Sequence, residues 1–432
     1  MDHGADMHTY LGLDFGTSGC RSCLIGGDAQ PLAGVRTPLP APRRSGAAVE
    51  QDAALWWAAQ EDNLDTLKTQ ADLAGVAAIC IDGTSSTLLL CDASGAPLAP
   101  ALMYNDARAT AVAARIAAVA PAGTAARGAS ASLAKLLWLL ASPAAEGATF
   151  ALHQADWLLA RLSGRYGCSD ENNALKLGFD PVERRWPDWL QRLPVPETLL
   201  PAVLPPGTTL GRLTPEACRR WGFSTAARVV CGTTDSTASF IATGAGPGDG
   251  VTALGSTLVL KVYSERPVFA PQLGVYSHRL GDHWLVGGAS NSGGAVLQQF
   301  FTGAEIARYT EQLQPERPTG LDYYPLPAPG ERFPVNDPQL ALRLTPRPDD
   351  EARFFQAILE GITAIEARGY RVLAELGAPS PARVLTTGGG AVNAAWRTLR
   401  EQALGVPVLA AEHQEAAYGA ALLAMRSESI SS

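Results

Sequence analysis

A short stretch near the start of the chain combines a carboxylate, two hydroxyls and a glycine-containing turn. Within residues 11–25, an apolar run ends at Asp14, a turn follows at Gly16, Thr17 and Ser18, and a second strand begins near residue 20. The pattern predicts a β-hairpin whose turn directs backbone N–H groups and both hydroxyls at one point. Oriented amides bind anions such as phosphate, and a neighbouring carboxylate suits a bridging Mg²⁺. An ordinary polar hairpin explains the same residues equally well.

Three further clusters follow strand-like apolar runs. Residues 82–86 contain an aspartate and small hydroxyls, Asp235 lies shortly after another run, and residues 388–391 are rich in glycine. In α/β proteins ligands collect beyond the carboxyl ends of strands, and glycines there allow close approach by adenine or ribose. Together with Asp14, these clusters supply the parts that phosphoryl transfer needs: phosphate clamps, a metal ligand and a base.

Composition limits the classes of function. The 432-residue chain is 47% hydrophobic and 18% charged, with a net charge of −8. These values favour a folded protein of at least two domains, since single cores rarely grow past about 250–300 residues. The chain has no surplus of basic residues to neutralise phosphates, so a nucleic acid partner is not expected. No apolar run approaches the roughly 20 residues that cross a bilayer, and the N-terminus does not resemble a signal peptide, so no membrane partner and a cytoplasmic location are expected.

The seven cysteines are odd in number and widely spread, which favours reduced thiols over a disulfide framework. Cys20 and Cys23 form a C-x-x-C pattern on the predicted second strand. Residues three apart on a strand point to opposite faces, and no second cysteine pair follows. A zinc or redox role is therefore not expected.

The first half predicts three antiparallel strands, a helix capped by Asp52 and a buried strand at residues 76–81. The third of these antiparallel strands is expected at 32–37. Further along, the sequence predicts a strand at 88–91, a helix that ends near residue 120, helices at 132–140 and 151–162, a loop-rich region at 178–206 and a strand at 229–231.

The second half begins by repeating the first. Residues 251–260 again read as strand, turn and strand, with Gly255, Ser256 and Thr257 in the turn but no aspartate. Two such turns could grip the phosphates of one nucleotide from both sides. The glycine-rich connection before residue 250 is the predicted domain boundary. Later expected elements are a strand at 284–288 leading to Gly293, a loop-rich region at 303–348, a helix from 350 to about 376, a strand at 383–387, a helix at 394–404, a strand at 406–409 and a helix at 415–426. The segment 271–339 has no predicted role.

In order and spacing these motifs resemble the FGGY carbohydrate kinases, within the actin, Hsp70 and hexokinase superfamily of ATPases. The resemblance covers nearly the whole chain, and the matching segments are Asp14-Phe15-Gly16-Thr17-Ser18 with Arg21, Tyr104-Asn105-Asp106-x-Arg108, Gly255-Ser256-Thr257, Glu360-Gly361-Ile362, and Gly388-Gly389-Gly390-Ala391 with Asn393. It implies an α/β fold of two actin-like (ribonuclease H-like) ATPase domains with a catalytic cleft between them. Residues 1–243 would hold the sugar, the first phosphate motif and the base. Residues 244–432 would hold the second phosphate motif and the nucleoside.

The resemblance also implies roles for residues, with ATP and Mg²⁺ as cofactors. Asp235 would be the general base on the sugar hydroxyl, although a helix cap is the plain structural alternative. Asp14 would hold Mg²⁺ through water. The residues that would contact ATP are Gly16, Thr17, Ser18, Arg21, Gly255, Ser256, Thr257, Gly293, Gly389, Gly390 and Asn393. Several of them could instead be simple turn formers.

The sugar is indicated by one short segment. Xylulose kinases of this family usually carry a Gln-Met-His triplet where this chain has Thr84, Ser85 and Ser86. The segment resembles instead a small D-ribulose kinase group of cyanobacteria and plants. The residues that would contact the sugar are Asp82, Thr84, Ser85, Ser86, Asn105, Asp106 and Asp235. Strand-end capping explains the serines, and a helix N-cap explains Asp106, comparably well.

The expected function is an ATP-dependent pentulose kinase that converts D-ribulose to D-ribulose 5-phosphate, as a monomer or homodimer with a ketopentose as its partner. D-xylulose is the alternative substrate. A non-catalytic sugar or nucleotide sensor on the same fold is disfavoured because both aspartates, Asp14 and Asp235, are present. An actin-like or chaperone-like ATPase is disfavoured because the chain lacks a separate peptide-binding module.

Overall fold

The chain forms two compact units. The computed structural model describes residues 8–427. The first unit comprises the described residues up to Ala242 and those from Glu415 onward, and the second runs from Thr243 to Gln414. The last helix, which the sequence-based division assigns to the second domain, thus lies in the first unit. No helix among residues 8–427 is long and apolar enough to cross a membrane.

The first unit is built on a six-stranded mixed sheet. The strands of the whole unit are β1 Thr9–Gly16, β2 Gly19–Ile25, β3 Pro31–Pro38, β4 Arg43–Ser45, β5 Ala48–Gln51, β6 Val76–Gly83, β7 Leu88–Cys91, β8 Ala101–Leu102, β9 Phe150–His153, β10 Cys168–Asp170, β11 Ala202–Leu204, β12 Thr209–Arg212 and β13 Arg228–Thr234. The main sheet has the order β12-β13-β6-β1-β2-β3, and a second sheet has the order β4-β5-β8-β7-β9. Strands β1, β2 and β3 are antiparallel neighbours, which confirms the predicted meander. Strands β1, β6 and β13 run parallel, so their carboxyl ends meet at one edge.

The first unit also contains helices, and some of them begin at a residue whose side chain caps the helix. The helices are α1 Ala53–Gln70, α2 Thr110–Val119, α3 Ser132–Leu140, α4 Gln154–Ser163, α5 Glu171–Ala174, α6 Pro215–Trp221 and α7 Asp235–Ala242. Asp52 caps α1 as predicted, because its side chain accepts from the Ala54 amide. The predicted helix at 151–162 is wrong at its start. Residues 150–153 form β9 on β7, and α4 begins only at Gln154.

The second unit repeats this arrangement. Its strands are β14 Asp249–Leu254, β15 Leu258–Ser264, β16 Tyr276–Leu280, β17 His283–Ser290, β18 Arg383–Thr387 and β19 Val408–Ala410. The order β19-β18-β14-β15-β17, with β16 added at the edge, corresponds to β13-β6-β1-β2-β3 of the first unit. The predicted internal repeat is therefore confirmed.

The helices of the second unit are α8 Gly294–Phe300, α9 Gly303–Thr310, α10 Glu351–Glu375 and α11 Ala394–Leu404, and the chain ends in the first unit with α12 Ala416–Arg426. Helix α9 lies in a region predicted as loop. Short 3₁₀ helices occur at Ala125–Arg127, Pro143–Ala145, Leu175–Leu177, Asp188–Arg192, Glu197–Leu199, Pro271–Leu273 and Gly389–Val392. All seven cysteines are free, and C-x-x-C forms no bridge.

Two glycines let the last helix pack closely in the first unit. A Cβ at Gly12 of β1 would lie 2.0 Å from the Ala417 carbonyl oxygen. A Cβ at Gly419 would lie 1.8 Å from the Ala238 carbonyl oxygen of α7. Real Cβ atoms cannot approach so closely, so glycine is required at both positions. Helix α12 is thereby held against the strand that carries Asp14 and the helix that begins at Asp235.

Candidate functional site

Two carboxyl groups lie side by side near the carboxyl ends of β1 and β6. Asp14 and Asp82 are register partners on these parallel strands. Asp14 is 4% exposed and Asp82 is fully buried. Neither oxygen of Asp82 accepts a hydrogen bond from a donor group of the described residues, but the carboxyl lies close enough to that of Asp14 for the two to share a proton. Two adjacent buried carboxylates are costly unless a cation or proton balances them, which is characteristic of a functional site.

The guanidinium of Arg21 neutralises part of the negative charge of these two carboxylates. It lies opposite Asp14 across the hairpin, and its Nη1 donates to the Asp14 Oδ2 at 2.8 Å. Its Nε is 3.7 Å from the Glu415 Oε2, at the start of α12. The predicted phosphate contact Arg21 is thus already paired with the predicted metal ligand.

The electrostatics of the pair favour a cation. Burial raises the pKa of Asp14, although the Arg21 guanidinium opposes the shift. Burial raises the pKa of Asp82 more strongly, and the charges of Asp14 and Asp235 add to the effect. No group of three or more His, Cys, Asp or Glu side chains within residues 8–427 could hold a metal ion. Mg²⁺, however, usually keeps several waters and takes one or two carboxylates together with phosphates, so this pair fits such an ion.

Asp235 is the first residue of α7, directly after β13. It is half-buried, and its Oδ1 accepts from the Ser236 amide at 2.6 Å. Its charge contributes to the raised pKa of Asp82. The structure therefore brings Asp14, Asp82 and Asp235 together at one edge of the first sheet. A carboxylate that is partly accessible at a helix start is placed to act as a general base.

The segment after β6 separates into residues that are already paired and residues that are not. The Thr84 Oγ1 is 2.6 Å from the Thr87 Oγ1 and donates to the Gln154 Oε1 at 2.9 Å. Thr84 therefore serves the fold of the segment. Ser85 is half-buried. Ser86 is fully buried at a φ of 69°, and its Oγ has no partner among the described residues.

The segment at residues 104–108 divides in the same way. Asp106 is fully buried, and its Oδ2 accepts from the Val49 amide at 2.6 Å and the Arg108 Nε at 2.8 Å. Helix α2 begins only at residue 110, so Asp106 is not its N-cap. Asn105 keeps a buried Oδ1 without a partner in the described part of the chain. Asn105 thus remains a candidate sugar contact, whereas the oxygens of Asp106 are occupied.

The turn of the first hairpin is accessible. Gly16 and Thr17 are half-buried and Ser18 is exposed. The Ser18 carbonyl accepts from the Leu39 amide at 3.0 Å, which fixes the turn against the chain after β3. Both hydroxyls can therefore face a phosphate without disturbing the core.

Three glycine-bearing segments meet around the β14–β15 turn of the second unit. The carbonyl of Gly255 accepts from the Gly294 amide at 2.8 Å. A Cβ at Gly293 would lie 2.7 Å from the Ser256 carbonyl oxygen. Gly255 and Ser256 are exposed and Thr257 is half-buried. The predicted second phosphate motif and Gly293 are therefore in contact.

The predicted nucleoside segment follows β18 beside that turn. A Cβ at Gly390 would lie 2.7 Å from the Leu254 Cβ, so packing requires glycine there. Gly389 is exposed and has open space around it, which leaves it available to a ligand. The Asn393 Oδ1 caps α11 through the Trp396 amide at 2.9 Å, and its Nδ2 donates to the Thr310 Oγ1 at 3.2 Å. Asn393 is thus committed to the protein's own fold.

Sequence reasoning missed two buried residues next to the predicted sugar segments. Gln154 begins α4, and its Oε1 accepts from Thr84 while its Nε2 has no partner among residues 8–427. Lys135, on α3, donates to backbone carbonyls of both segments. A lysine inside the apolar sequence SLAKLLWLL was the available signal, because unpaired lysines are rarely buried.

Family comparison agrees with this geometry. The chain matches the N-terminal domain of the FGGY family of carbohydrate kinases over residues 9–242 and the C-terminal domain over residues 250–428. It belongs to the FGGY family of carbohydrate kinases, and the resemblance inferred from the motifs is confirmed. The protein is accordingly a sugar kinase with the two-domain ATPase-like fold of that family.

Individual relatives point the same way. The chain is 28% identical to a xylulose kinase of Escherichia coli strain K12 over 412 residues, which cover 90% of this chain and 84% of that protein. A crystal structure of a xylulose kinase from Brucella ovis has a TM-score of 0.88 and 25% identity, covering 98% of this chain and 91% of the other. A gluconate kinase from Lactobacillus acidophilus has a TM-score of 0.87 at 19% identity, covering 98% and 90%. This last likeness concerns the fold alone.

Proposed function

We propose that the protein is an ATP-dependent pentulose kinase that phosphorylates the terminal hydroxyl of D-ribulose to give D-ribulose 5-phosphate and ADP. The observation that carries the proposal is a set of buried polar atoms without partners in the two segments predicted to contact the sugar. They are the hydroxyl of Ser86 and the amide oxygen of Asn105. A buried polar group without a partner costs about 1–3 kcal/mol. A polyol that bonds to these groups recovers that cost, and an apolar ligand does not.

In this proposal Asp235 takes the proton from the terminal sugar hydroxyl as the γ-phosphate is transferred. The hairpin turn with Gly16, Thr17 and Ser18 contacts phosphate in the first unit. In the second unit Gly255, Ser256, Thr257 and Gly293 contact phosphate, and Gly389 and Gly390 face the nucleoside. Asn393 then acts through its cap on α11, not by direct contact.

Asp14 and Asp82 are the residues that would hold Mg²⁺, with Asp14 acting through water. A bound Mg²⁺ neutralises phosphate charge during transfer. Arg21 orients Asp14 through the bond between its Nη1 and the Asp14 Oδ2, and it opposes part of the rise in the pKa of Asp14 that burial causes. The raised pKa values of both carboxyls mean that protons compete with the metal as the pH falls.

D-xylulose is the second candidate substrate, and the relatives named xylulose kinase favour it. The two ketopentoses differ in the configuration of one carbon, so discrimination depends on which hydroxyls find partners. A site built to bond a hydroxyl rejects a wrong isomer because its own groups are left unpaired. The Ser86 hydroxyl, which stands where the family's xylulose kinases usually have the Gln-Met-His triplet, is the reason to rank D-ribulose first.

The test is ADP release with ATP and Mg²⁺ against D-ribulose, D-xylulose, L-ribulose, ribitol and glycerol. We expect the highest kcat/KM with D-ribulose. A higher value with D-xylulose would replace the substrate and leave the kinase assignment standing. No turnover with any of the five would refute the proposed function.

Asp235→Asn separates a catalyst from a sensor. We expect turnover to fall at least about a hundredfold, because general bases commonly contribute that much, while ATP affinity measured by calorimetry is retained. The matched control is Asp62→Asn on the exposed side of α1, which should leave turnover unchanged. Equal turnover of Asp235→Asn and the wild type would exclude the catalytic role.

A further inference from the structure

Lys135 is an unusual buried cation. It lies on α3 with 0% exposure, among the largest fully buried side chains of the protein. No ion pair joins it to a carboxylate among the described residues. Burial lowers its pKa to about 7, although the charge of Asp106 opposes the shift. Removing an ammonium from water is costly, so the groups that Lys135 bonds to in the fold indicate what it does.

The ammonium is satisfied by two backbone carbonyls from different parts of the chain. Its Nζ donates to the Ser86 carbonyl at 2.7 Å and to the Tyr104 carbonyl at 3.2 Å. The first carbonyl belongs to the segment after β6, and the second immediately precedes Asn105. Lys135 therefore connects the two segments that carry the candidate sugar contacts.

One of these bonds is made to a residue with an unusual backbone conformation. Ser86 has a φ of 69°, in the left-handed region that a non-glycine residue seldom occupies. Such a residue persists only where its surroundings determine it. The bond from Lys135 to its carbonyl is one such determinant, and it holds the backbone from which the buried Ser86 side chain projects.

The side chains that Lys135 positions have bonding capacity to spare. The Ser86 Oγ and the Asn105 Oδ1 are both buried and without partners among residues 8–427. The Gln154 Nε2 near the same segment shares this property. A clamp that served only the fold would be expected to hold satisfied groups, since buried polar groups are normally paired.

We propose that Lys135 is a positioning residue for the sugar: it clamps the Ser86 and Tyr104–Asn105 segments at the spacing at which the Ser86 hydroxyl and the Asn105 amide oxygen bond to one ketopentose. The inference rests on the proposed function and deepens it. It assigns sugar selectivity to a residue that does not itself touch the sugar. Lys135 is then a determinant of the sugar KM and not of nucleotide binding.

The experiment is Lys135→Met in the full-length protein. Methionine keeps the length of the side chain and removes the donor, which leaves both carbonyls unpaired. We expect the KM for D-ribulose to rise about 10- to 100-fold, as expected for buried groups left without a bond, and the KM for ATP to change by less than about twofold. The ratio of kcat/KM between D-ribulose and D-xylulose should also move toward one, since the two polar contacts are no longer held together.

The matched control is Leu137→Ala on the same helix, in the apolar cluster with Ile116 and Leu190. It should lower the melting temperature and leave the sugar KM and the selectivity ratio within about twofold of wild type. An unchanged sugar KM in Lys135→Met, or equal rises in the KM for sugar and ATP, would overturn the inference and show a merely structural lysine.

Should Lys135→Met not fold, Lys135→Gln decides: its amide keeps a donor, but the side chain is one bond shorter and cannot hold both carbonyls at the distances that lysine does. An intermediate rise in sugar KM supports the clamp, and a wild-type sugar KM overturns it. The proposed function fails separately, when the wild-type protein phosphorylates no ketopentose. The inference fails alone when the wild type is active and both lysine variants retain its sugar KM.

Discussion

Replacing Asp82 by asparagine should make the first unit more stable at neutral pH while it removes activity. The carboxyl is fully buried, accepts no hydrogen bond from a donor group of the described residues, and lies beside Asp14. Burial and the charges of Asp14 and Asp235 raise its pKa. Asparagine has the same shape, carries no charge and offers an N–H that can donate to Asp14. The substitution thus relieves an unfavourable charge without opening a cavity.

The size of the effect depends on pH. With a raised pKa, the folded protein keeps a proton on Asp82 at pH values where the unfolded chain has lost it. Since the folded state binds more protons, the free energy of unfolding falls as the pH rises from the ordinary carboxyl value of about 4 toward the raised one. One proton gives a slope of at most about 1.4 kcal/mol per pH unit. The free energy of unfolding of Asp82→Asn does not fall in this way. The difference in the free energy of unfolding between the variant and the wild type should therefore grow by up to about 1.4 kcal/mol per pH unit.

The assay is urea unfolding without metal or nucleotide, from about pH 5 to about pH 8. Hydrogen exchange of peptides from β1 and β6 reports the first unit specifically. The control Asp62→Asn alters an exposed aspartate on α1 and should follow the wild-type curve. Parallel curves for Asp82→Asn and wild type, or a less stable variant at about pH 8, would show that the Asp82 carboxyl is not strained by its neighbours.

Three further substitutions test the packing and capping described above. Gly419→Ala forces a methyl against a backbone carbonyl of α7 and should lower the free energy of unfolding by at least about 1–3 kcal/mol, whereas Gly303→Ala, which has open space, should not. Glu366→Gln breaks the buried two-bond ion pair with Arg400, whose distances are both 2.7 Å, and should cost about 3–5 kcal/mol in urea unfolding. Asn393→Ala removes the cap of α11 and should cost about 1 kcal/mol. A rise of more than about tenfold in its KM for ATP would instead indicate direct nucleoside contact.

Much of the fold could be predicted because local signals mark the ends of its elements. Helices α3 and α11 begin and end at the predicted residues. Apolar periodicity marks both helices, and Asn393 and Gly405 additionally mark the two ends of α11. The start of α4 could not be found in this way. Residues 150–153 are acceptable in a helix, and only their pairing with the distant β7 makes them a strand. Tertiary pairing overrides local preference there.

Helix α9 was missed although its signal is present. Thr302 and Glu305 form a reciprocal capping box at its start, a pattern that marks a helix N-terminus in sequence. The prolines and glycines of the surrounding region obscured it. Strand β16 had no comparable mark, because its position depends on antiparallel pairing with β17.

The candidate site shows which part of function a sequence carries. Residue type singled out Thr84, Ser86, Asp106 and Asn393 alike, since hydroxyls, carboxylates and amides all bond to sugars and nucleotides. In the structure Thr84, Asp106 and Asn393 use their capacity within the protein, while Ser86 retains a buried oxygen without a partner. Whether a polar side chain is already hydrogen-bonded depends on its surroundings in the fold. Residue type alone therefore cannot distinguish the paired side chains from Ser86. A ligand that supplies the missing partner is the simplest reason for a stable fold to keep that oxygen buried and unpaired.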